Sequence, residues 1–257
     1  MSPTPELAGK SAIVTGAAHG FGRAICVELG LHGAQVWALD IVGNELDETA
    51  RLCMQVGGAC QPCVIDITDV DAVQAVVHEV CEAHGQVHIL VNNAGGVLGQ
   101  VGQPLEAVTP AQWNAILAVN LSAAFHVCQA VAPGMKAARA GRIVNISSGA
   151  GLGISLTGIQ AYAASKAGLI SLTRQLGHEL GAWDITVNCI APGFVRSNPN
   201  TERQWQALGP AGQQSLLKNI ALGRLGTAQD IAHGVLFFVG DRAGWISGQT
   251  IAIDGGK

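Results

Sequence analysis

Tyr162 and Lys166 stand four residues apart in the segment Ala161-Tyr162-Ala163-Ala164-Ser165-Lys166. On a helix that spacing puts both side chains on one face. A tyrosine phenol ordinarily loses its proton near pH ~10 and is a poor base at neutrality. A neighbouring ammonium favours the phenolate, whereas burial alone opposes it. Bringing the phenol to neutrality takes roughly 4 kcal/mol of differential interaction, so a single ammonium needs a second cation beside it. An oxidised nicotinamide ring is such a cation. The pair therefore reads as an acid–base couple beside a hydride acceptor, although alone it also arises by chance on surface helices.

The N-terminal segment supplies the missing context. Ser11-Ala12-Ile13-Val14-Thr15 is a short apolar run, followed at once by Gly16-Ala17-Ala18-His19-Gly20-Phe21-Gly22 and then by a helical pattern from Arg23 to Leu31. A strand, a glycine turn and a helix N-terminus make a phosphate cradle: glycines let the backbone approach a pyrophosphate, and the helix end favours its charge. The glycine spacing is Gly-x-x-x-Gly-x-Gly.

With these two motifs come Asn92-Asn93-Ala94-Gly95, Asn120, Asn145-Ile146-Ser147-Ser148, Pro192-Gly193 and Asp254-Gly255-Gly256. In order and spacing the set resembles the short-chain dehydrogenase/reductase family, from Lys10 to Gly256. The resemblance implies a Rossmann-type, doubly wound parallel α/β sheet in a single domain, residues 1–257, and a nicotinamide cofactor.

Composition bounds the possibilities. A chain of 257 residues can form one α/β domain with a large core. Charged residues make up only 12% against 49% apolar ones, which suggests that part of the surface is buried in an oligomer. Net charge is -4 without a Lys/Arg cluster, which argues against nucleic acid or an anionic membrane. The first ten residues are polar, so no signal peptide is expected, and no uninterrupted apolar stretch of spanning length is read. Seven cysteines without a paired framework fit a reducing cytoplasm. Cys60-Gln61-Pro62-Cys63 runs into the apolar Val64-Ile65 and so reads as strand rather than as a redox or zinc site. No histidine pair has ligand spacing, and no metal is expected.

Strand-like and helical runs alternate throughout, the pattern of a parallel sheet covered on both faces. About seven strands are predicted, near 11–15, 35–40, 61–65, 88–92, 141–146, 186–190 and 250–253. Helices are predicted near 20–32, 44–56, 69–84, 110–138, 161–181 and 228–239. Thr109-Pro110-Ala111-Gln112 has the form of a capped start, and Thr68-Asp69-Val70-Asp71 and Thr227-Ala228-Gln229-Asp230 offer a similar cap. Val70, Val73, Val77 and Val80 form a stripe along the third helix. The stretch 194–222 reads as an irregular, mobile substrate loop at a strand's carboxyl end.

The second strand ends in Asp40, about 20 residues past the glycine turn. A carboxylate there accepts from ribose hydroxyls and repels a 2′-phosphate, favouring NAD over NADP. Ile41 follows where a 2′-phosphate would want an arginine. His19, near the phosphates, is the mild counter-signal. The resemblance places Gly16, His19, Gly20, Phe21 and Gly22 along the cofactor, Asp66 and Ile67 beside its adenine, and Asn93, Ala94 and Gly95 along the nearer ribose and pyrophosphate. It sets Pro192, Gly193, Val195 and Ser197 against the nicotinamide, with Ser197 standing where the family usually has threonine.

Ser148, after the fifth strand, can hold a substrate oxygen. Ser147 is the alternative, and by strand alternation the two point to opposite sides; the resemblance selects Ser148. It also implies that Tyr162 is general base or acid, that Lys166 binds the nicotinamide ribose and lowers the Tyr162 pKa, and that Asn120 joins a water-linked proton relay. Asn120 read by itself is a buried amide satisfied within the core. The expected substrate wall includes Gly95 to Leu98, Gly149, Ile154 and the rest of 149–159, Trp205 and Leu208. It offers Arg196 and Arg203 alone for a carboxylate.

The activity implied is hydride transfer between NAD(H) and a small-molecule secondary alcohol or ketone, whether simple, polyol, sugar-like or alicyclic. An NADPH-dependent 3-oxoacyl-carrier reductase is the alternative within the family, and a non-catalytic dinucleotide sensor the alternative outside enzymes. The helices 110–138 and 161–181 are apolar nearly all round, which with the resemblance suggests a homotetramer.

Overall fold

The computed structural model describes residues 6–257. The first five, part of the expected 1–257 unit and of its polar N-terminus, lie outside the described residues. Seven strands build one sheet: β1 (Ser11–Thr15), β2 (Gln35–Asp40), β3 (Ala59–Val64), β4 (Ile89–Asn92), β5 (Gly141–Ile146), β6 (Ile185–Pro192) and β7 (Thr250–Ile253). Their spatial order is β3-β2-β1-β4-β5-β6-β7, and every neighbouring pair is parallel. The chain starts at β1, works outward to β3, and then crosses to β4 on the other side. That reversal opens a crevice at the carboxyl ends of β1 and β4, where a doubly wound sheet takes its ligand.

Both faces of the sheet are covered, so β1 and β6 are buried along their whole length and read as continuous apolar runs. Alternation splits the core in two. Ala12 and Val14 face Ile25 and Leu29 of α1 (Gly20–Leu31), Leu46 of α2 (Gly43–Gln55), and Val235 and Phe238 of α9 (Ala228–Val239). Ile13 and Leu90 face Val73 and Val77 of α3 (Val70–His84), Val127 and Val131 of α5 (Ala123–Ala138), and Leu180, the last residue of α6 (Gln160–Leu180).

Several expectations need correction. The stretch 194–222 holds α7 (Pro199–Ala207) and α8 (Gly209–Lys218) instead of an irregular loop. Asn198 caps α7 through the amides of Asn200 and Thr201, with Pro199 at the first turn, so residues that suggested a loop are helix-start residues. Asp69 rather than Thr68 caps α3; its carboxylate accepts from Asp71 N and Ala72 N. The buried stripe of α3 is Val73, Val76, Val77 and Val80, with Val70 only partly buried. β3 begins earlier than expected and contains both Cys60 and Cys63. Burial pushes the Cys63 thiol up to about 11, and hydrogen bonding with Cys26 raises Cys60, so neither is a ready thiolate. β3 is an edge strand, which is why it tolerates Pro62, opposite Ala38.

The helix expected over 110–138 is α4 (Pro110–Leu117) and α5, joined by a π turn over Ala118–Ser122. The capping box of Thr109 and Gln112 starts it as expected. Pro110–Ala138 is long and apolar enough on average to span a membrane, although Asn114, Asn120, His126 and Gln129 interrupt it, so no uninterrupted apolar stretch occurs. Its Ile116, Ala123, Val127, Val131 and Met135 are nevertheless buried in the fold.

Candidate active site

The glycine turn admits no side chain. A Cβ on Gly22 would lie 2.0 Å from the Gly16 carbonyl oxygen, and one on Gly16 would lie 2.7 Å from Ala94 Cα. Gly16 and Gly20 hold φ +67° and +58°, a region that glycine enters without strain. His19 is exposed at the N-cap of α1 and makes no side-chain cap, so the first amides of that helix stay open to an anion. Phe21 is partly buried and packs against the first core. These features fit a dinucleotide pyrophosphate.

The turn is braced from β4. Asn93 Nδ2 donates to the carbonyls of Thr15 (3.0 Å) and Gly16 (2.9 Å), so its side chain supports the turn instead of reaching outward. Thr15 Oγ1 accepts from Asn93 N and Ala94 N at 3.0 and 3.1 Å.

Asp40 sits at the carboxyl end of β2, as expected. Its Oδ1 accepts from Ile41 N (2.7 Å) and Val42 N (3.2 Å), and its Oδ2 from Ala18 N (3.0 Å). A carboxylate has about four acceptor positions, so most are taken by the backbone and little more than one is left for a ribose hydroxyl. Sequence reasoning missed the opposite side of this clamp. The Arg23 guanidinium donates to the Ala18 carbonyl, to the Glu45 carboxylate at 2.6 Å and, through Nε, to Thr49 Oγ1 at 3.0 Å. Residue 18 is thus held through its N–H by Asp40 and through its C=O by Arg23. No local pattern announces a contact between residues 23 and 45. At the end of the next strand Asp66 closes a turn with Thr68, and Ile67 is buried in the second core.

Ser147 and Ser148 point to opposite sides, as alternation requires. Ser147 is buried and donates to the Lys166 carbonyl at 2.8 Å. Ser148 is extended, and its hydroxyl accepts from Ala150 N at 3.2 Å while facing the Tyr162 phenol. Tyr162 and Lys166 share one face of α6, with Nζ 5.9 Å from the ring centroid. Lys166 is buried and donates to the Ile146 carbonyl at 2.9 Å; burial brings its ammonium down to about 8.

The balance at Tyr162 differs from expectation. Burial raises its pKa, and the hydrogen bond from Ser148, not the Lys166 ammonium, opposes the rise. Lys166 spends its charge on a backbone carbonyl and on its own desolvation.

Asn120 lies in the π turn. Its Oδ1 accepts from Gly96 N (2.9 Å), and its Nδ2 donates to the carbonyls of Gly96 (2.8 Å) and Ile116 (2.9 Å). Both ends of the carboxamide are engaged, with one acceptor position left on Oδ1, and it positions the loop after β4. A Cβ on Gly95 would meet Asn120 Oδ1 at 2.5 Å and Lys166 Nζ at 3.3 Å, so the backbone here threads between the two.

On the other wall, Gly193 packs where a Cβ would lie 2.7 Å from Asp254 Cα, directly after Pro192. Val195 bridges to Gly226, and the Ser197 carbonyl would stand 2.9 Å from a Cβ on Gly20. Trp205 on α7 stacks on Phe194 with centroids 6.2 Å apart. Gly149 opens the segment after Ser148, and Ile154 in that segment is fully exposed. Among the described residues no group of three metal-ligating side chains forms.

Known proteins agree with this geometry. The short chain dehydrogenase family model matches residues 10–207. A 3-oxoacyl-[acyl-carrier-protein] reductase of Thermotoga maritima is 38% identical over 98% of each chain. NAD+-bound xylitol dehydrogenase superposes with TM-score 0.91 at 29% identity, over 98% of this chain and 100% of that one. A 7α-hydroxysteroid dehydrogenase, complexed with NADH and 7-oxo glycochenodeoxycholic acid, superposes with TM-score 0.89 at 33% identity over 98% and 96%. The chain belongs to the short-chain dehydrogenase/reductase family of oxidoreductases.

Proposed function

We propose that this oxidoreductase uses NAD(H) and interconverts a secondary alcohol and its ketone. When bound, the dinucleotide supplies the hydride acceptor or donor. The chain's own groups do the rest. Ser148 holds the substrate oxygen, and Tyr162 Oη takes the hydroxyl proton in oxidation or returns it in reduction. Lys166, fixed by Ile146 and backed by Ser147, presents its ammonium to the nicotinamide ribose.

The observation that carries the cofactor preference is Asp40. Bonds from the amides of Ala18, Ile41 and Val42 fix the direction of its carboxylate. A second negative group on the ribose would meet that charge with no arginine at residue 41 to offset it. The test is the ratio of kcat/KM with NAD to that with NADP; a preference for NADP would overturn the assignment.

A second reading is an NADPH-dependent 3-oxoacyl-carrier reductase. The Thermotoga maritima relative bears that activity in its name. Against it stand Asp40 and the lack of a basic cluster for an acidic carrier.

We also propose self-association. The Pro110–Ala138 helix is only 39% buried within one chain over its most apolar window. Beside it α5 and α6 frame a groove of about 570 Å³ lined by Leu121, Phe125, Gly168 and Leu172. The buried His126 Nδ1 at its edge has no hydrogen-bond partner. A second copy laid antiparallel on this face would cover the groove, and a tetramer needs one further interface. The free cysteines fit a reducing cytoplasm.

A further inference from the structure

The loops beside Ser148 and Tyr162 turn their polar side chains inward and their hydrocarbon outward. Residues 95–105 and 149–159 contain no charged side chain. In the first loop Gln100 Nε2 donates to the Gln112 carbonyl and Gln103 Nε2 to Gln112 Oε1, both at 3.0 Å. In the second, the Ser155 and Thr157 hydroxyls bond each other at 2.8 Å. What faces water is aliphatic. Leu98 is 51% exposed, Val101 77%, Leu152 54%, Ile154 100% and Leu156 69%.

The two loops form one rim. A Cβ on Gly102 would lie 2.8 Å from the Thr157 carbonyl oxygen, and Gln160 Nε2 donates to the Gln103 carbonyl at 3.0 Å. The second loop starts at Ser148 and ends just before Tyr162, so the rim flanks the position of the reacting oxygen. Leu98 is held at φ 51°, a left-handed conformation that is costly for leucine and that clusters at ligand sites. Exposed aliphatic groups gathered in this way mark a binding surface.

Three arginines of the segment after β6 already have partners. Arg196 forks onto Glu202 at 2.7 and 3.0 Å, Arg203 bonds Asn200, and Arg224 bonds Asp230 at 2.9 Å.

We infer that the substrate is an uncharged secondary alcohol or ketone with an extended or bulky hydrocarbon body, taken free from solution, and that Leu98, Val101, Leu152, Ile154 and Leu156 grip that body. This rests on the proposed alcohol–ketone reading of the same site. A polyol would leave its hydroxyls facing aliphatic side chains, and a carrier-borne substrate would bring acidic charge to a rim whose loops carry no cation.

The experiment measures kcat/KM at saturating NAD for unbranched 2-alkanols from 2-propanol to 2-decanol, with a pentitol and 2-pentanol as a matched pair. Each added methylene should raise kcat/KM by about fourfold until the rim is covered, and 2-pentanol should exceed the pentitol. Ile154→Asp, at a fully exposed position, should flatten the series. A flat series, a preferred pentitol, or a 3-oxoacyl group reduced faster on acyl carrier protein than on pantetheine would overturn the inference while leaving the dehydrogenase reading intact. No turnover of any alcohol or ketone with either cofactor would overturn both.

Discussion

The Ser147 hydroxyl donates to the backbone carbonyl of Lys166 at 2.8 Å, tying the end of β5 to the helix that carries Tyr162 and Lys166. Ser148, its neighbour, faces the cleft. The adjacent hydroxyls therefore have separable duties. Ser148→Ala should cut kcat by roughly a hundredfold or more with little change in melting temperature. Ser147→Ala should cost about 1 kcal/mol of stability and keep most turnover. The reverse pattern would exchange the two assignments.

Tyr162→Phe should abolish turnover and leave the dissociation constant for NAD near wild type, because in the proposed reaction the hydroxyl moves the proton and is not the main cofactor contact. Residual activity within tenfold of wild type would remove Tyr162 from the mechanism.

The pH profile should carry the signature of Ser148. Burial raises the Tyr162 pKa and the Ser148 hydrogen bond lowers it. Alcohol oxidation needs the deprotonated phenol, so the rate rises with pH through that ionisation. In a residually active Ser148→Ala enzyme the lowering influence is gone, and the acidic limb should move to higher pH. An unmoved limb would show that the hydrogen bond does not set the phenol's ionisation.

Lys166 gives a prediction of opposite sign. Burial brings its folded-state value to about 8, below the ordinary 10.5. As pH rises through about 8 the folded protein loses the ammonium, and NAD affinity should fall; Lys166→Ala should flatten that dependence. Because the folded value is lowered, the buried charge costs stability in full below about 8, and the cost fades between about 8 and 10.5. Lys166→Met should therefore melt no lower than wild type at pH 7, although inactive. Scanning calorimetry checks it.

Asp40→Ala should narrow the preference for NAD. A charged hydrogen bond to one hydroxyl contributes about 1.5–3 kcal/mol, equivalent to roughly 10- to 100-fold in affinity. The wide fork onto both hydroxyls suggested by sequence is not open, since the amides of Ala18, Ile41 and Val42 occupy most of the carboxylate. An unchanged NAD/NADP ratio would exclude Asp40 as the selector.

Sedimentation at micromolar concentration should give a mass above that of one chain. A monomer would show that the apolar faces of α5 and α6 stay open to water.

The parallel sheet and the shared helix face of Tyr162 and Lys166 were legible because they depend on local signals. Alternating strand and helix periods give the sheet, the Gly16–Gly22 turn gives the first crossover, and a spacing of four joins Tyr162 to Lys166. What stayed hidden was set by contacts distant in sequence. The engagement of Asn120 with Gly96, the bracing of the glycine turn by Asn93, and the clamp of Arg23 on Ala18 all depend on tertiary approach. The helix at Pro199 was missed for a different reason. Its Asn and Pro suit both a loop and a helix start, and only the capping contacts distinguish them.

Pro62 sits in β3, at the outer edge of the sheet. It has no N–H to offer an approaching strand, so that margin is a poor template for sheet extension by another chain. Head-to-tail pairing of this edge with the β7 edge of a next copy would build open-ended filaments, whereas helix faces related by a two-fold axis give closed assemblies. Pro62 thus makes the β3 edge the less receptive end for such head-to-tail growth.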